Sequence, residues 1–310
     1  MATALTAPLL RGNPEVDNII MVNMSAFKGI RGRLNMVQTL GKVETDTVVF
    51  LNPNLTFLLA AFWCGIARRL TILPYFMGKT LRWGSRLMTS VEVQGEGELI
   101  HQVQQRLLGQ IGAVMPSFVH RAYTTDTSPL QLSSHHEWIG IGISSGNKLK
   151  ELGVEKLSDI IRQLLEKTTC HIALIGSGAD SKVAKELVLL HPARIQETTG
   201  KIALEVLPDF LTHLSLYIGV DSGITHLADA AGIPVVSIVG PADPREQRPM
   251  GKFVEIIQRQ EPCAPCCLVF HTPYMCKVGT RACIQQIAAD EITKRALSLL
   301  HRVKATKHDT

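Results

Sequence analysis

Four apolar runs in the second half of the chain end in the same chemistry. "WIGIGI" runs into "SSGNK", "HIALI" into "GSGAD", "LSLYIGV" into "DSGITH" and "PVVSIV" into "GPADP". Each run is short and continuous, and each is followed within a few residues by a turn or a helical pattern. Strands buried on both faces of a parallel sheet read this way. In an open parallel sheet the strand-to-helix turns lie along one edge, at the carboxyl ends of the strands, where ligands bind. Helix N-termini there present free N–H groups and partial positive charge, which attract phosphate. Glycine lets the backbone approach a ligand closely.

The residues singled out are Ser145 and Gly146 after the first run, Gly176, Gly178 and Asp180 after the second, and Asp221, Ser222 and Gly223 after the third. Gly223 and its neighbours can offer N–H groups to a phosphate, and Ser222 can cap the helix or donate its hydroxyl. Asp221 repels phosphate, so its better use is to accept hydrogen bonds from sugar hydroxyls. His226 lies one turn into the helix. The plainer alternative is ordinary capping: Asp-Ser-Gly before a helix needs no ligand. "GSGAD" lacks the third glycine of a dinucleotide fingerprint, and Asp180 either caps the next helix or meets a ribose hydroxyl. Lys148 and Lys150 follow the first run. A lysine at this edge can neutralise a diphosphate as a point charge, and for Lys148 a solvated surface role is the expectation.

The other elements extend the same alternation. Helices are expected over 157–167, 181–190, 204–211, 224–231 and 287–303. In the first part the pattern gives a short helix at 3–11, strands at 16–22 and 46–51, a helix at 55–69 closed by Arg68 and Arg69, and a helix at 96–111. "RAYTTDTSPLQLSSHHE" is polar and turn-rich. The expected division is an N-terminal domain at 1–125, a linker at 126–137 and a C-terminal domain at 138–310.

With 45% hydrophobic and 19% charged residues, the chain can build a core. A net charge of +5 suits phosphorylated ligands or an anionic membrane face and is too weak to argue for nucleic acid. The start has no secretory pattern and the longest apolar stretch, 55–67, is shorter than the ~20 residues of a membrane span. The expectation is a cytoplasmic protein, and the seven cysteines are read as thiols or metal ligands.

"VDSGITHLADAAGIPVVSIVGPADP" resembles the signature of the ADP-heptose:lipopolysaccharide heptosyltransferases, glycosyltransferase family 9. "GNKLKELGVEKLSDII" is similar to the family's Lys-x-Trp-Pro segment, with Leu152 in the tryptophan's place. "LIGSGAD" resembles its Gly-rich turn, and "CAPCCLVFHTPYMCKVGTRACIQQI" a cysteine-bearing segment. The likeness is good over 138–303 and looser before. It implies a GT-B-like α/β architecture: two Rossmann-type parallel-sheet domains facing a central cleft, the N-terminal one incomplete.

By resemblance, the second domain holds an ADP-heptose-type donor and the first a phosphorylated, lipid-linked saccharide acceptor. Lys150 would neutralise the departing diphosphate, Asp180 hold the nucleoside, Asp221 the sugar hydroxyls, and Ser222, Gly223 and His226 the phosphates. The reaction implied is an inverting transfer of heptose to the lipopolysaccharide core, with no cofactor or metal required. The family's general base, the aspartate of a Gly-Asp turn after the first strand, has no counterpart here. Asp17 and Asp46 sit at the amino ends of their expected strands. A start further upstream, a non-catalytic nucleotide-sugar-binding homologue that has lost the base, and an unmatched base all stay open.

Two further clusters stand out. Arg68, Arg69, Lys79, Arg82 and Arg86 are interleaved with Tyr75, Phe76 and Trp83, a mixture that suits a lipid-linked acceptor at the cytoplasmic face of the inner membrane. A solvated loop is the alternative. Cys263, Cys266, Cys276 and Cys283, with Cys267 and His271 nearby, could form a thiolate site. The Cys263–Cys266 spacing is good and the second pair's is poorer, so packed thiols and no metal are expected.

Overall fold

The computed structural model describes residues 1–27, 29–114 and 130–308. By contacts the chain divides into two compact units. One comprises Met1–Ala7, Ile19–Ser117 and Arg245–Gln247, and the other Pro8–Asn18, Phe118–Pro244 and Arg248–Thr310. Part of the expected linker, 126–129, lies outside the described residues.

The first unit carries α1 (Gly29–Gly41), β1 (Thr47–Phe50), α2 (Leu55–Trp63), β2 (Arg68–Pro74), α3 (Lys79–Ser85), β3 (Ser90–Gln94) and α4 (Ile100–Gly109). Its three strands form a parallel sheet in the order β1-β2-β3. Asn54 caps α2 by accepting the Thr56 N–H at 2.9 Å. Met36 and Leu40 of α1 pack with Ala60 of α2.

Sequence patterning misread parts of this unit. Residues 16–22 form no strand, only an isolated bridge between Ala2 and Met21. The helix expected over 55–69 stops at Trp63, and Arg68 and Arg69 open β2 instead. The cause is Gly65 at φ +67°, which reverses the chain after the Cys64 cap. The expected 3–11 helix is a single 3-10 turn, Ala7–Leu10.

The second unit carries β4 (Trp138–Gly142), α5 (Val154–Lys167), β5 (His171–Ile175), α6 (Ser181–Val188), β6 (Ile195–Glu197), α7 (Leu207–Thr212), β7 (Leu216–Val220), α8 (Gly223–Ala230), β8 (Val235–Ile238), β9 (Val254–Ile257), α9 (Ala282–Gln285) and α10 (Ala289–His308). All pairings are parallel, in the order β6-β5-β4-β7-β8-β9. Leu157, Ile160, Ile161 and Leu164 of α5 are buried with Ile292, Ala296 and Leu299 of α10 against one face of the sheet. Each such side chain contributes roughly 1.5–3 kcal/mol before chain entropy is counted. Phe210, Leu211, Tyr217 and Ala228 belong to a second core with Trp138 and Ala173.

The strand order positions the site. After β4 the chain adds β5 and β6 on one side, then returns to place β7, β8 and β9 on the other. Connections leaving β4 and β7 therefore diverge and leave a crevice at the carboxyl ends of these neighbours, where open α/β sheets take their ligands.

Candidate functional site at the carboxyl edge of the second sheet

Lys150 and Asp221, 71 residues apart, meet across that crevice. The Lys150 ammonium donates to Asp221 Oδ2 at 2.6 Å, and both side chains are about 15% exposed. The other carboxylate oxygen, Oδ1, lies 3.4 Å from His226 Nε2. Burial alone would raise the Asp221 pKa. The hydrogen bond from His226 and the charge and hydrogen bond of Lys150 outweigh it and hold the carboxyl below its usual range. One carboxylate thus gathers two nitrogen bases beside the first turn of α8.

Ser222 caps α8 from an extended conformation, its Oγ facing the Thr225 N–H. Gly223 follows at the helix start, exposed, with nothing within 4 Å of the place where a Cβ would sit. The capping and ligand readings of Ser222 therefore coexist: the hydroxyl is used by its own helix, and Gly223 leaves the approach open.

Lys150 sits on a 3-10 turn, Lys148–Lys150, capped by Asn147. Ser145 accepts from Asn147 N at 3.3 Å and donates its own N–H to Glu151 at 3.2 Å. Gly146 is exposed with open space around it. Lys148 is 80% exposed and pairs with Glu151, a surface role.

Asp180 closes a capping box with Ser177 and also accepts from Ser144 Oγ at 2.7 Å. Its Oδ2 receives the Ser177 N–H at 2.8 Å and the Ser177 hydroxyl at 2.7 Å. Burial opposes ionisation, and the Ser144 and Ser177 hydrogen bonds outweigh it, so Asp180 too titrates low. A side chain at Gly176 would come within 2.9 Å of Asp180 Oδ2, and one at Gly200 within 2.6 Å of Gly178 Cα. Both glycines thus serve close packing of the loop. Ser144 ties this loop to the one that carries Lys150, so the turns after β4, β5 and β7 are linked.

Tyr217 is the support that sequence reasoning missed. Its ring lies along the face of Gly140, Gly142 and Gly219. A Cβ on Gly142 would fall 2.1 Å from the phenol oxygen and one on Gly219 2.8 Å from it. The phenol bonds to Thr225 and Ser222, and burial raises its pKa, so it stays neutral. Thr225 Oγ1 in turn donates to Val220 O at 2.5 Å. The signal was present as alternate glycines in "WIGIG" and "YIGV", which mark a surface where something bulky lies. Asp229, also in the signature segment, is buried and accepts from Met250 N and Gly251 N at 2.8 and 3.0 Å, a structural use.

The cysteines gather without forming a metal group. Cys263, Cys266, Cys276 and Cys283 line one small cavity with Leu149, Pro241 and Arg281, while Cys267 and His271 are not among its lining. Among the described residues no three His, Cys, Asp or Glu side chains are grouped to hold an ion. A roomier cleft of about 500 Å³ lies at the amino edge of the sheet, lined by Glu137, Cys170, His301 and Lys304, away from the gathered turns.

In the first unit, Arg68 faces Asp46 at 3.7 Å. Arg69 is a structural staple: its guanidinium donates to Leu87 O and Ile66 O and stacks over Phe62. Lys79, Arg82, Trp83 and Arg86 are exposed on or just after α3.

Residues 120–271 match the family described as glycosyltransferase family 9 (heptosyltransferase). Lipooligosaccharide heptosyltransferase 2 of Haemophilus influenzae is 29% identical over 91 residues, 28% of this chain and only about a quarter, 26%, of that enzyme's length. Among solved structures, ADP-heptose lipopolysaccharide heptosyltransferase II of E. coli superposes with a TM-score of 0.70 at 17% identity, covering 97% of this chain and 88% of that one. A family 9 glycosyltransferase of Veillonella parvula gives 0.72 at 19%, covering 95% and 86%. E. coli heptosyltransferase WaaC with ADP-2-deoxy-2-fluoro heptose gives 0.68 at 13%, covering 94% and 86%. With two parallel sheets and a GT-B-like fold, the chain carries over residues 120–271 a match to glycosyltransferase family 9 (heptosyltransferase).

Proposed function

We propose that the protein is an inverting glycosyltransferase that moves heptose from ADP-heptose to a hydroxyl of the lipopolysaccharide core. The observation that carries this reading is the Lys150–Asp221–His226 cluster beside the start of α8. Displacement at the anomeric carbon leaves a nucleoside diphosphate, whose charge grows in the transition state. An ammonium and helix N–H groups already aimed at that place offset the charge without reorganising. An arriving diphosphate competes with Asp221 for Lys150. The carboxylate oxygen so released is then an acceptor for a sugar hydroxyl.

The general base is unassigned. The same site without a base would make a nucleotide-sugar-binding protein. The acceptor side draws support from charge: the first unit carries eleven Lys and Arg against six Asp and Glu, or +5, which equals the net charge of the whole chain. With exposed Trp63, Trp83 and Phe62, that composition suits a phosphorylated lipid acceptor at an anionic membrane surface. No helix among the described residues is long and apolar enough to cross a membrane.

The test is calorimetry with ADP-heptose, ADP and other nucleoside diphosphates on the wild type and on Asp221→Ala. Tight binding of ADP-heptose, weakened at least about tenfold by the substitution, supports the donor site. Equal ADP-heptose affinity in both proteins removes Asp221 from it. A folded wild type that binds no sugar nucleotide sinks the assignment, and binding without any heptose transfer selects the non-catalytic reading.

A further inference from the structure

Arg281 stands outside every segment assigned a role above, and its conformation is unusual. At φ +50° and ψ +30° it is the one non-glycine residue with positive φ among the described residues. It occupies the N-cap of α9 yet makes no side-chain cap. Glycine would fit this backbone better, so the reason for an arginine lies in its guanidinium.

That guanidinium reaches the Lys150 turn. Nη2 donates to Leu149 O at 3.3 Å and to Glu151 O at 2.5 Å, the two carbonyls on either side of Lys150. Neighbouring groups hold the same turn: Asn147 Nδ2 donates to Pro273 O at 2.9 Å, and Gln285 Nε2 lies 3.4 Å from Glu151 O and from Leu152 O. Leu149, which carries one of the held carbonyls, turns its side chain inward. With the carbonyls of the residues before and after it held, Lys150 has its side chain sent one way, toward Asp221.

We infer that Arg281 is the positioning residue for Lys150, fixing the turn so that the ammonium stays where a diphosphate arrives. This rests on the donor-site reading of Lys150. One nitrogen of the planar fork, Nη2, serves both carbonyls through its two N–H groups, whose directions the guanidinium plane fixes, and a freely rotating lysine ammonium in its place holds neither in the same geometry.

The test uses the full chain with Arg281→Gly, which suits the left-handed backbone but lacks the fork, and Arg281→Lys, which keeps the charge. Without ligand, the rate of acylation of each lysine amine is followed by peptide mass spectrometry, with exposed Lys148 as the internal reference. Release of Lys150 from its held pairing with Asp221 is expected to raise its rate about five- to tenfold in both variants. Lys148 keeps its rate. Either folded variant suffices if the other fails to fold. Lys150 rates within twofold of wild type overturn the inference. Calorimetry with ADP forms the second arm: a weakening of about tenfold in both variants is expected, and unchanged ADP affinity also overturns the role. A wild type that does not bind ADP refutes the donor-site reading instead, and the acylation rates then decide the positioning of Lys150 alone.

Discussion

Gly142→Ala offers a sharp test of the buttress beneath α8. The new methyl would sit 2.1 Å from the Tyr217 oxygen and 3.0 Å from Cζ of its ring, far inside contact distance. Tyr217 is fully buried. Overpacking of this kind costs about 1–3 kcal/mol. If the ring shifts, its hydroxyl loses Thr225 and Ser222, and a buried unsatisfied hydroxyl costs about 1–3 kcal/mol more. Alanine recovers about 0.5–1 kcal/mol over glycine within a strand. The net expectation is a loss of about 2–4 kcal/mol, or roughly 5–15 °C in Tm for a unit of this size. Urea denaturation with a spectroscopic probe measures it. Tyr217→Phe removes the atom closest to the clash, so the double variant should be more stable than the sum of the single effects by ~1 kcal/mol or more. A Gly142→Ala protein within 0.5 kcal/mol of wild type, or strict additivity in the double variant, would refute the packing argument.

Three further outcomes follow from the site. Ser222→Ala should cost about 1 kcal/mol through loss of the α8 cap, read from the same denaturation curves; an unchanged midpoint would mean that the cap carries no weight. Asp221 is held below its ordinary value of 3.8 when folded, so its share of stability is present above that pH and is lost as pH falls through the lower, folded value. The stability difference between wild type and Asp221→Asn should therefore shrink as pH falls below the ordinary value of 3.8, and a gap that is flat with pH would contradict the ion pair. Lys148→Ala removes an exposed pair and should change stability by less than about 0.5 kcal/mol and ADP affinity by less than about twofold, so a larger loss of affinity would bring Lys148 into the site.

The second unit was legible because each of its main strands is buried on both faces. Continuous apolar runs such as "HIALI" and "LYIGV" leave no period to misread, and their glycine-rich ends mark the turns. The strands missed there, Ile195–Glu197 and Val254–Ile257, are the two edges of the sheet. Short, half-exposed edge strands lack a continuous apolar run, so nothing in "IQE" announces one. The first unit was harder for the same reason. All four residues of β1 are only half-buried, and β2 begins with Arg68 and Arg69, which resemble the cationic end of a helix.

The site was legible as a set of turns and illegible as a set of contacts. Residue type placed Asp221, Ser222 and Gly223 at one strand end and Lys150 at another, because strand ends must share an edge. It could not place Lys150 on Asp221, since that pairing depends on which strands are neighbours. Only the strand order puts β4 beside β7. The consequence is chemical. An aspartate read alone suggests a hydrogen-bond acceptor waiting for a sugar. Paired at 2.6 Å with a lysine and at 3.4 Å with a histidine, it is first a partner for side-chain nitrogens. Ligand-free, the carboxylate and ammonium neutralise one another, so a diphosphate must displace an internal counter-ion to reach Lys150. That exchange weakens ground-state binding, and it also frees a carboxylate oxygen at the moment the sugar arrives. Asp221→Asn should then separate the two effects. ADP alone should lose little affinity or gain some, because Lys150 no longer has an anionic competitor, while an ADP-sugar should lose the acceptor for its hydroxyl. A ratio of ADP-heptose to ADP affinity that is the same in Asp221→Asn as in wild type would refute the double role.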